Sequence, residues 1–384
     1  MAIVSKSGPA DTRVARVYNR IRRRLGVIDF LLSLGLLVVL LATGWTGVLR
    51  DIAYRGAGQR YALAVSFFLL MLAALSKALR IGLDYYSYRL EHRYNLSNQK
   101  FRSWVWDQTK GSLIALMIGT VLVELLYFIM RQTPQFWWLI AWAGAVGFFL
   151  LLAQIAPVVL FPIFYKFQPL QNQALRDRLV QLSERAGTHV RGVYEWKLSE
   201  KSKKANAALA GLGSTRRILL ADTLLSNYSE DEIEAILAHE LGHHVHKHML
   251  WSMVVQAGIT LVGFWASAAA LRHAVEQHHM FQSISDFANL PLLAVISTVI
   301  SFVLVPALNA WSRRNERQAD RYCFEAIPNV VPFISSMNKL ADQNLAERNP
   351  SRFVEWFFHS HPPISKRIAA AEAYAASQKQ TVAD

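Results

Sequence analysis

The sequence predicts an α-helical integral membrane protein of about six transmembrane helices, with a small α+β unit inserted on one side of the membrane. The chain of 384 residues is 53% hydrophobic and 18% charged, whereas soluble domains carry roughly 25% charged residues. Its apolar residues form runs of about 20, the length that a helix needs to cross about 30 Å of hydrocarbon. Between the fourth and fifth runs lies a long polar segment that contains both helical and strand-like periods.

Six apolar runs are the candidate spans. They cover roughly residues 27–49, 61–83, 111–130, 136–165, 249–271 and 287–311. The fourth contains Pro157 and Pro162, so it either bends or crosses the membrane only with its first part. The first follows a basic segment, but its apolar stretch exceeds the ~7–15 residues of a signal peptide and no small-residue cleavage site follows, so we expect an uncleaved helix.

The distribution of Lys and Arg sets the expected orientation. Basic residues crowd the segment before the first span and the connection at 84–110, while the opposite connections carry few of them. By the positive-inside rule the basic side is the cytoplasm. The formal charge of +14 is then a signal of topology and lipid contact, and no basic-aromatic module favours nucleic acid as a partner. Cys323 is the only cysteine, so we expect a buried thiol and no intramolecular disulfide.

Four segments follow from this pattern. They are N-terminal membrane helices at 1–165, a polar insert at 166–248, two further membrane helices at 249–311 and a helical tail at 312–384. Within the insert, the alternating stretch "RGVYEWKL" indicates one strand, and two further strands flank a turn at Gly211 and Gly213. These strands predict a small antiparallel sheet.

A metal-binding motif lies at the end of the insert. Ser229 and Glu232 form a capping box, so a helix begins near Glu230, and without Gly or Pro after the motif we expect it to continue unbroken into the fifth span. His239 and His243, at i and i+4, lie on one face of that helix, where two imidazoles can bind one zinc ion. Glu240 is placed to act as a general base. A surface helix that happens to be rich in histidine is the alternative.

A third ligand is expected directly after the sixth span, in "SRRNERQADRYC". Glu316 supplies the carboxylate that a catalytic zinc needs, and Asp320 can hydrogen-bond the outer nitrogen of a ligand histidine. The alternative is a solvated charged face with Arg313, Arg317 and Arg321 as partners. Trp251 and Trp311 lie close to the two ligand segments and suit a membrane interface, which places both at a similar depth.

Eight further histidines fall into three groups. We expect His244, His246 and His248 to be solvent or interface residues, and His273, His278 and His279 to lie on the opposite side of the membrane. In "HSHPPISKRI", either His359 or His361 could donate to an oxyanion beside the metal, and the spacing leaves that choice open.

Several stretches together resemble the type 1 CAAX prenyl protease family of integral-membrane zinc endopeptidases. They are "YRLEHRYNLSNQKFRSWVWDQTK", "APVVLFPIFYKFQPL", "KSKKANAALAGLGSTRRILLADTLL", "AHELGHHVHKH", "RRNERQADRYC" and "SHPPISKRI". The resemblance implies a zincin-like (gluzincin) cytoplasmic protease domain and membrane helices around a water-filled chamber. The lysine-rich "EKSKKANA" departs from the family pattern before its Asn-Ala pair, and the small number of spans favours a bacterial-type member in the inner membrane.

The resemblance also implies roles for individual residues. One Zn2+ ion is held by His239, His243 and Glu316, with Glu240 and His361 as catalytic residues, Asp320 and Arg367 supporting them, and Asn206 and Ala207 binding substrate main chain on an edge strand. The implied partners are the lipid bilayer and a peptide or membrane-protein substrate, prenylated or not. CAAX-type prenyl-peptide cleavage and membrane-protein quality control stay open as activities. A catalytically inactive scaffold or clearance factor of the same fold is the alternative, and a metal transporter is a weaker one.

Overall fold

A computed structural model describes residues 12–211 and 215–383 of the chain. The described helices are α1 (Thr12–Ala42), α2 (Trp45–Gly56), α3 (Tyr61–Arg93), α4 (Phe101–Gln132), α5 (Trp137–Ile155), α6 (Phe161–Phe164), α7 (Gln173–Arg185), α8 (Asp222–Leu225), α9 (Glu230–Val245), α10 (His248–Glu276), α11 (Leu290–Ala326), α12 (Val331–Gln343), α13 (Arg352–Phe358) and α14 (Ile364–Ala383). The strands are β1 (Phe167–Pro169), β2 (Val193–Trp196), β3 (Ala207–Ala210) and β4 (Arg217–Ala221).

Six helices in the described part of the chain are long and apolar enough to cross a membrane, which confirms the predicted spans. The first span begins and ends earlier than the expected 27–49, because α1 already starts at Thr12 and ends at Ala42, where Gly44 adopts a left-handed φ of 72° before α2 begins. The fourth continues past its prolines. A π-helical turn at Ala156–Leu160 accommodates Pro157, which has no N–H to donate, and α6 then completes the span.

Most side chains in the middle of the spans are not buried against other described residues. Between 0 and 17% of each apolar span window is buried. At the end far from the insert the spans close together around a large apolar cluster that includes Phe68, Tyr127, Trp137, Leu271 and Phe287. A cavity of about 650 Å³ between α3 and α4 has Lys77, Asp84 and Gln108 in its wall. Ionisable groups in a membrane span usually face the bundle interior or water rather than lipid; the water-filled chamber that the resemblance implies stays a prediction.

The insert carries a four-stranded sheet in the order β1-β2-β4-β3. β3 and β4 pair antiparallel, as predicted, and Gly211 begins their connection at a φ of 94°; Gly213 lies outside the described residues. The prediction of a wholly antiparallel sheet is wrong, because β2 and β4 are parallel. β3 lies between β2 and β4 in the sequence, but in the sheet it lies at the edge, next to β4. The chain therefore passes from β2 to the edge and turns back as β4, which runs in the same direction as β2. Ile218 and Leu220 are fully buried in the core shared with α9.

The helix that carries the metal-binding motif begins as predicted but ends sooner. Ser229 and Glu232 form the capping box. The expected continuous helix from the motif into the fifth span is wrong, since α9 ends at Val245 and Lys247 has a left-handed φ of 54° before α10 begins at His248. The His246 ring donates to the carbonyl of Gly242 at 2.9 Å and so satisfies a carbonyl at the helix end. The chain therefore changes direction before it enters the membrane.

α9 and α11 pack backbone to backbone at Gly242. A Cβ at this position would lie 2.8 Å from the Cα and 2.9 Å from the carbonyl oxygen of Ala319. Nearby, the fully buried Cys323 donates its thiol to the carbonyl of Ala235 at 3.2 Å, in accord with the expectation of a structural thiol. The close approach holds the motif helix against the helix that carries Glu316.

We predict that Gly242→Ala disrupts this contact. The added methyl forces α11 away from α9, so the free energy of unfolding should fall by about 1–3 kcal/mol, and bound zinc should be lost because the carboxylate and the two histidines separate. Thermal unfolding and zinc content of the purified protein measure both effects. Gly258→Ala in α10 is the control, since a Cβ there meets nothing within 4 Å. Equal zinc content and equal melting temperatures in both variants would contradict the prediction.

Candidate metal centre

His239 and His243 of α9 and Glu316 of α11 converge on one point. The Nε2 atoms of the two histidines are 3.3 Å apart, and each lies 3.3 Å from an oxygen of Glu316. Ligand atoms bound at about 2.0–2.1 Å to a tetrahedral zinc ion lie about 3.3–3.4 Å from one another. His239 and Glu316 are 7% and 4% exposed, whereas the side chain of His243 is 28% exposed, so the centre is open to solvent on the side of His243. Among the described residues this is the group of three donors whose spacing fits a metal ion.

A buried ion pair orients His239. Its Nδ1 donates to Asp320 at 2.9 Å, and the guanidinium of Arg367 donates to both oxygens of the same carboxylate at 2.5 and 2.9 Å. The proton is thereby held on Nδ1, and Nε2 is left for a metal. Burial and Arg367 lower the pKa of His239, but hydrogen bonds with Asp320 and Glu316 outweigh them and raise it to about 9.

The other ligand histidine has a different neighbour. Nδ1 of His243 lies 3.0 Å from Nδ1 of His248, and Nε2 of His248 lies 3.0 Å from Oε1 of Gln318. His248 is 6% exposed, so the expectation that it is a solvent or interface residue is wrong. The break at Lys247 turns His248 back towards α9. His246 is exposed, as expected, and His244 accepts from Arg216 at 3.3 Å.

Glu240 follows His239 directly on α9 and is partly exposed. Within the described ranges its carboxylate makes no hydrogen bond or ion pair with another residue. Every other carboxylate of the centre is engaged. Glu240 is therefore the acid that remains available to a water or a substrate.

The two candidate oxyanion donors lie in different surroundings. Nδ1 of His361 lies 2.8 Å from Glu316, and its side chain is 62% exposed. By contrast, burial lowers the pKa of His359, whose carbonyl accepts from Arg313 at 2.6 Å. The geometry therefore brings His361 to the centre and leaves His359 outside it. Because Arg313, Glu316 and Asp320 are all buried, the alternative of a solvated charged face is wrong.

The outer edge of β3 is open. Asn206 accepts from the amide of Ala221 at 3.0 Å, and successive residues of an antiparallel strand direct their backbone groups to opposite sides. Ala207 and Leu209 therefore present N–H and C=O outward, where no described strand pairs with them. The Asn344 side chain occupies the same edge two residues before Ala207, where it accepts from the amide and donates to the carbonyl of Ala205 at 3.0 and 3.3 Å. The free edge thus begins at Ala207.

The lysines that precede β3 fasten it to the membrane helices. Lys201 donates to Asp107 and to the carbonyl of Phe164 at 2.5 and 2.6 Å. Lys204 pairs with Glu91 at 2.8 Å. In the sequence this lysine run is visible only as a departure from the family pattern. Its partners are distant in the chain, with Phe164 37 residues and Asp107 94 residues from Lys201, and a single sequence does not reveal such contacts.

The centre consists of two imidazoles and one carboxylate, with an unengaged glutamate beside it and an open strand edge on the same domain. These features define the class of the zinc metallopeptidases. Here that domain is carried by a multi-pass membrane protein, whose described residues include six candidate spans.

Comparison with known proteins gives the family. The profile described as "Peptidase family M48" matches residues 169–375, and that described as "CAAX prenyl protease N-terminal, five membrane helices" matches residues 5–166. The chain belongs to peptidase family M48 and is a metalloendopeptidase, which confirms the resemblance noted in the sequence.

Three similar proteins illustrate the range of the family. The "Uncharacterized metalloprotease YhfN" of Bacillus subtilis is 32% identical over 95% of this chain and 86% of its own length. CAAX prenyl protease 1 of Saccharomyces cerevisiae is 26% identical over 82% of this chain and 73% of its own. The crystal structure of S. mikatae Ste24p has a TM-score of 0.84 at 22% identity, covering 94% of this chain and 88% of that one, and so shares the fold.

We predict that Asp320→Asn weakens zinc binding. The amide loses the charge that holds the proton of His239 on Nδ1, and zinc affinity should fall by about 10–100-fold, as for other partners of ligand histidines. Chelator competition measures it. Glu325→Gln makes the same change on α11 at a carboxylate that is 52% exposed and paired with Arg321, and it should leave zinc affinity unchanged. Similar affinities in the two variants would disprove the role of Asp320.

Proposed function

We propose that the protein is a zinc-dependent endopeptidase that cuts extended segments of membrane-associated substrates at the cytoplasmic face of a bacterial inner membrane. The observation that carries the proposal is the convergence of His239, His243 and Glu316 at tetrahedral spacing, on the same domain as an unpaired strand edge. The basic residues on the insert side support the cytoplasmic location, and the Bacillus relative supports a bacterial membrane.

The donor set fits one zinc ion. Two neutral imidazoles and a carboxylate are a known catalytic ligand set that leaves a fourth position open. When bound, the ion supplies a Lewis acid that makes a water more acidic and polarises a peptide carbonyl.

Glu240 and His361 perform the proton transfers and charge stabilisation. Glu240 accepts a proton from the attacking water as the new C–O bond forms, and then delivers that proton to the amine as the C–N bond breaks. His361 lies within hydrogen-bond distance of Glu316, so its N–H is placed beside the centre to donate to the carbonyl oxygen as negative charge develops there.

The edge of β3 positions the substrate. An extended peptide can add to the outward backbone groups of Ala207 and Leu209 as a further strand. These bonds involve main chain alone, so they fix the direction and depth of the peptide without selecting its side chains.

Two substrate classes fit this arrangement. CAAX-type cleavage of prenylated peptides is supported by the similarity to the yeast CAAX prenyl protease 1. Quality control of membrane proteins fits a bacterial-type member better, because the strand edge needs an extended segment and no lipid anchor. Cleavage of matched prenylated and unprenylated peptides by the purified protein distinguishes them.

We predict that Glu240→Gln keeps zinc but loses cleavage. General acid–base catalysis contributes about 10²–10⁴-fold, so hydrolysis of a quenched fluorescent peptide in detergent should fall by at least that much. Glu230→Gln, at an exposed acid in the first turn of α9, is the matched control and should cleave normally. If Glu240→Gln cleaves at the wild-type rate, the proposed mechanism is wrong.

We predict that Ala207→Pro impairs substrate binding without unfolding the domain. Proline removes an N–H that points outward, which edge strands tolerate, and the loss of one or two hydrogen bonds lowers kcat/KM by about 10–100-fold. Zinc content should not change. Ala208→Pro removes an inward N–H of the β3–β4 ladder, so it should instead lower the melting temperature. An unchanged kcat/KM in folded Ala207→Pro would show that substrate does not pair with this edge.

A further inference from the structure

A partly buried hydrogen-bonded chain extends from the metal centre to the fifth span. Its members are His243 at the end of α9, His248 at the first turn of α10 and Gln318 in α11, with both hydrogen bonds 3.0 Å long. The chain joins three helices that meet at the centre. Neither His248 nor Gln318 is a ligand, and the proposed mechanism uses neither of them.

Zinc ligation allows only one arrangement of protons along this chain. A histidine that binds a metal through Nε2 carries its proton on Nδ1, so His243 must donate to His248. Nδ1 of His248 then accepts, and its proton must reside on Nε2, since a neutral imidazole has one donor and one acceptor nitrogen. Nε2 lies opposite the amide oxygen of Gln318, which can only accept. Every donor in the chain thus faces an acceptor.

We infer that His248 and Gln318 are positioning residues that hold ligand His243 in the tautomer and orientation required for zinc. The inference rests on the proposed zinc centre and adds residues that the metal-binding motif does not contain. His239 is oriented by the charged Asp320, whereas His243 is oriented by a neutral imidazole. The second arrangement adds no negative charge to a centre that already buries Glu316 and Asp320.

The same chain couples a ligand to the membrane. His248 is the first residue of α10, a candidate span of 29 residues. Because the motif helix and the span are separate helices, the hydrogen bond from His243 to His248 is the direct side-chain link between the ligand and that span. A displacement of α10 would therefore act on zinc through the orientation of His243.

A pair of substitutions at His248 separates positioning from packing. Asn places its amide oxygen near the Nδ1 position of histidine and can still accept from His243, whereas Leu fills the space but accepts nothing. We expect His248→Leu to weaken zinc affinity by about 10–100-fold and His248→Asn to stay within about threefold of wild type on the same scale. Chelator competition gives the affinities, and the visible spectrum of the cobalt-substituted protein reports the ligand geometry, which should change only in the Leu variant.

Substitutions at Gln318 test the same hydrogen-bonded chain from its other end. They test the positioning role independently if His248→Leu does not fold. Gln318→Glu keeps the acceptor and should retain zinc affinity, whereas Gln318→Met removes it and should weaken zinc binding. His273→Leu, on a histidine of the far membrane side, is the control for non-specific losses.

The possible outcomes are distinct. If His248→Leu and Gln318→Met bind zinc as tightly as wild type, or if the Asn and Glu variants lose as much as the Leu and Met variants, the positioning role is overturned. If wild-type protein itself binds no zinc, it is the proposed function that fails. Loss in the Leu and Met variants alone, with the cobalt spectrum altered, establishes the role.

Discussion

The metal centre depends on the close approach of two helix backbones. At Gly242 there is no room for a Cβ against Ala319, and these two residues lie among the ligands: Gly242 directly precedes His243, and Ala319 lies between Glu316 and Asp320. At this separation the carboxylate of Glu316 on α11 reaches the imidazoles of both His239 and His243 on α9. The carboxylate of Asp320, one turn later, reaches the outer nitrogen of His239. A glycine inside a helix lowers its stability by roughly 1 kcal/mol relative to alanine. At Gly242 this loss is offset by the close helix contact that sets the distance between the ligands.

The buried carboxylates of Glu316 and Asp320 link metal binding to the stability of the fold. Asp320 is neutralised by Arg367 and by its hydrogen bond to His239, but Glu316 faces only the histidines. A buried carboxylate without a cation is costly. Hydrogen bonds with Asp320 and Glu316 raise the pKa of His239, which reflects the negative charge buried around it. A zinc ion held by His239, His243 and Glu316 would supply a double positive charge at the contact between α9 and α11, and metal binding would then be coupled to the docking of these helices.

The features that the sequence predicted well are those with a local period. Hydrophobic run length predicted the spans, the i and i+4 spacing predicted the histidine pair, and Ser229 with Glu232 predicted the helix start. Glu316 could be added because zinc needs a third ligand and two spans end at similar depth.

The features that were missed depend on distant contacts or on an unusual backbone. Lys247 adopts positive φ without the Gly or Asn that usually marks such a position, so neither the helix break nor the return of His248 could be anticipated. The parallel pairing of β2 with β4 depends on where β3 is inserted in the sheet, which no alternation pattern encodes. Gly242 did carry a signal, since a glycine inside a helical pattern often has a packing reason.

The position of the strand edge restricts what can be cut. The lysines before β3 fasten it to Asp107 and Glu91 at the membrane helices, and Asn344 closes the edge before Ala207, so a peptide can add over only a short length. A membrane-spanning helix has already bonded its own amides internally and cannot pair there without unwinding. A flexible tail or a segment held unfolded pays no such cost. Backbone pairing at the proposed substrate edge would therefore select substrates by their local flexibility before it selects them by sequence, and both proposed substrate classes have that property.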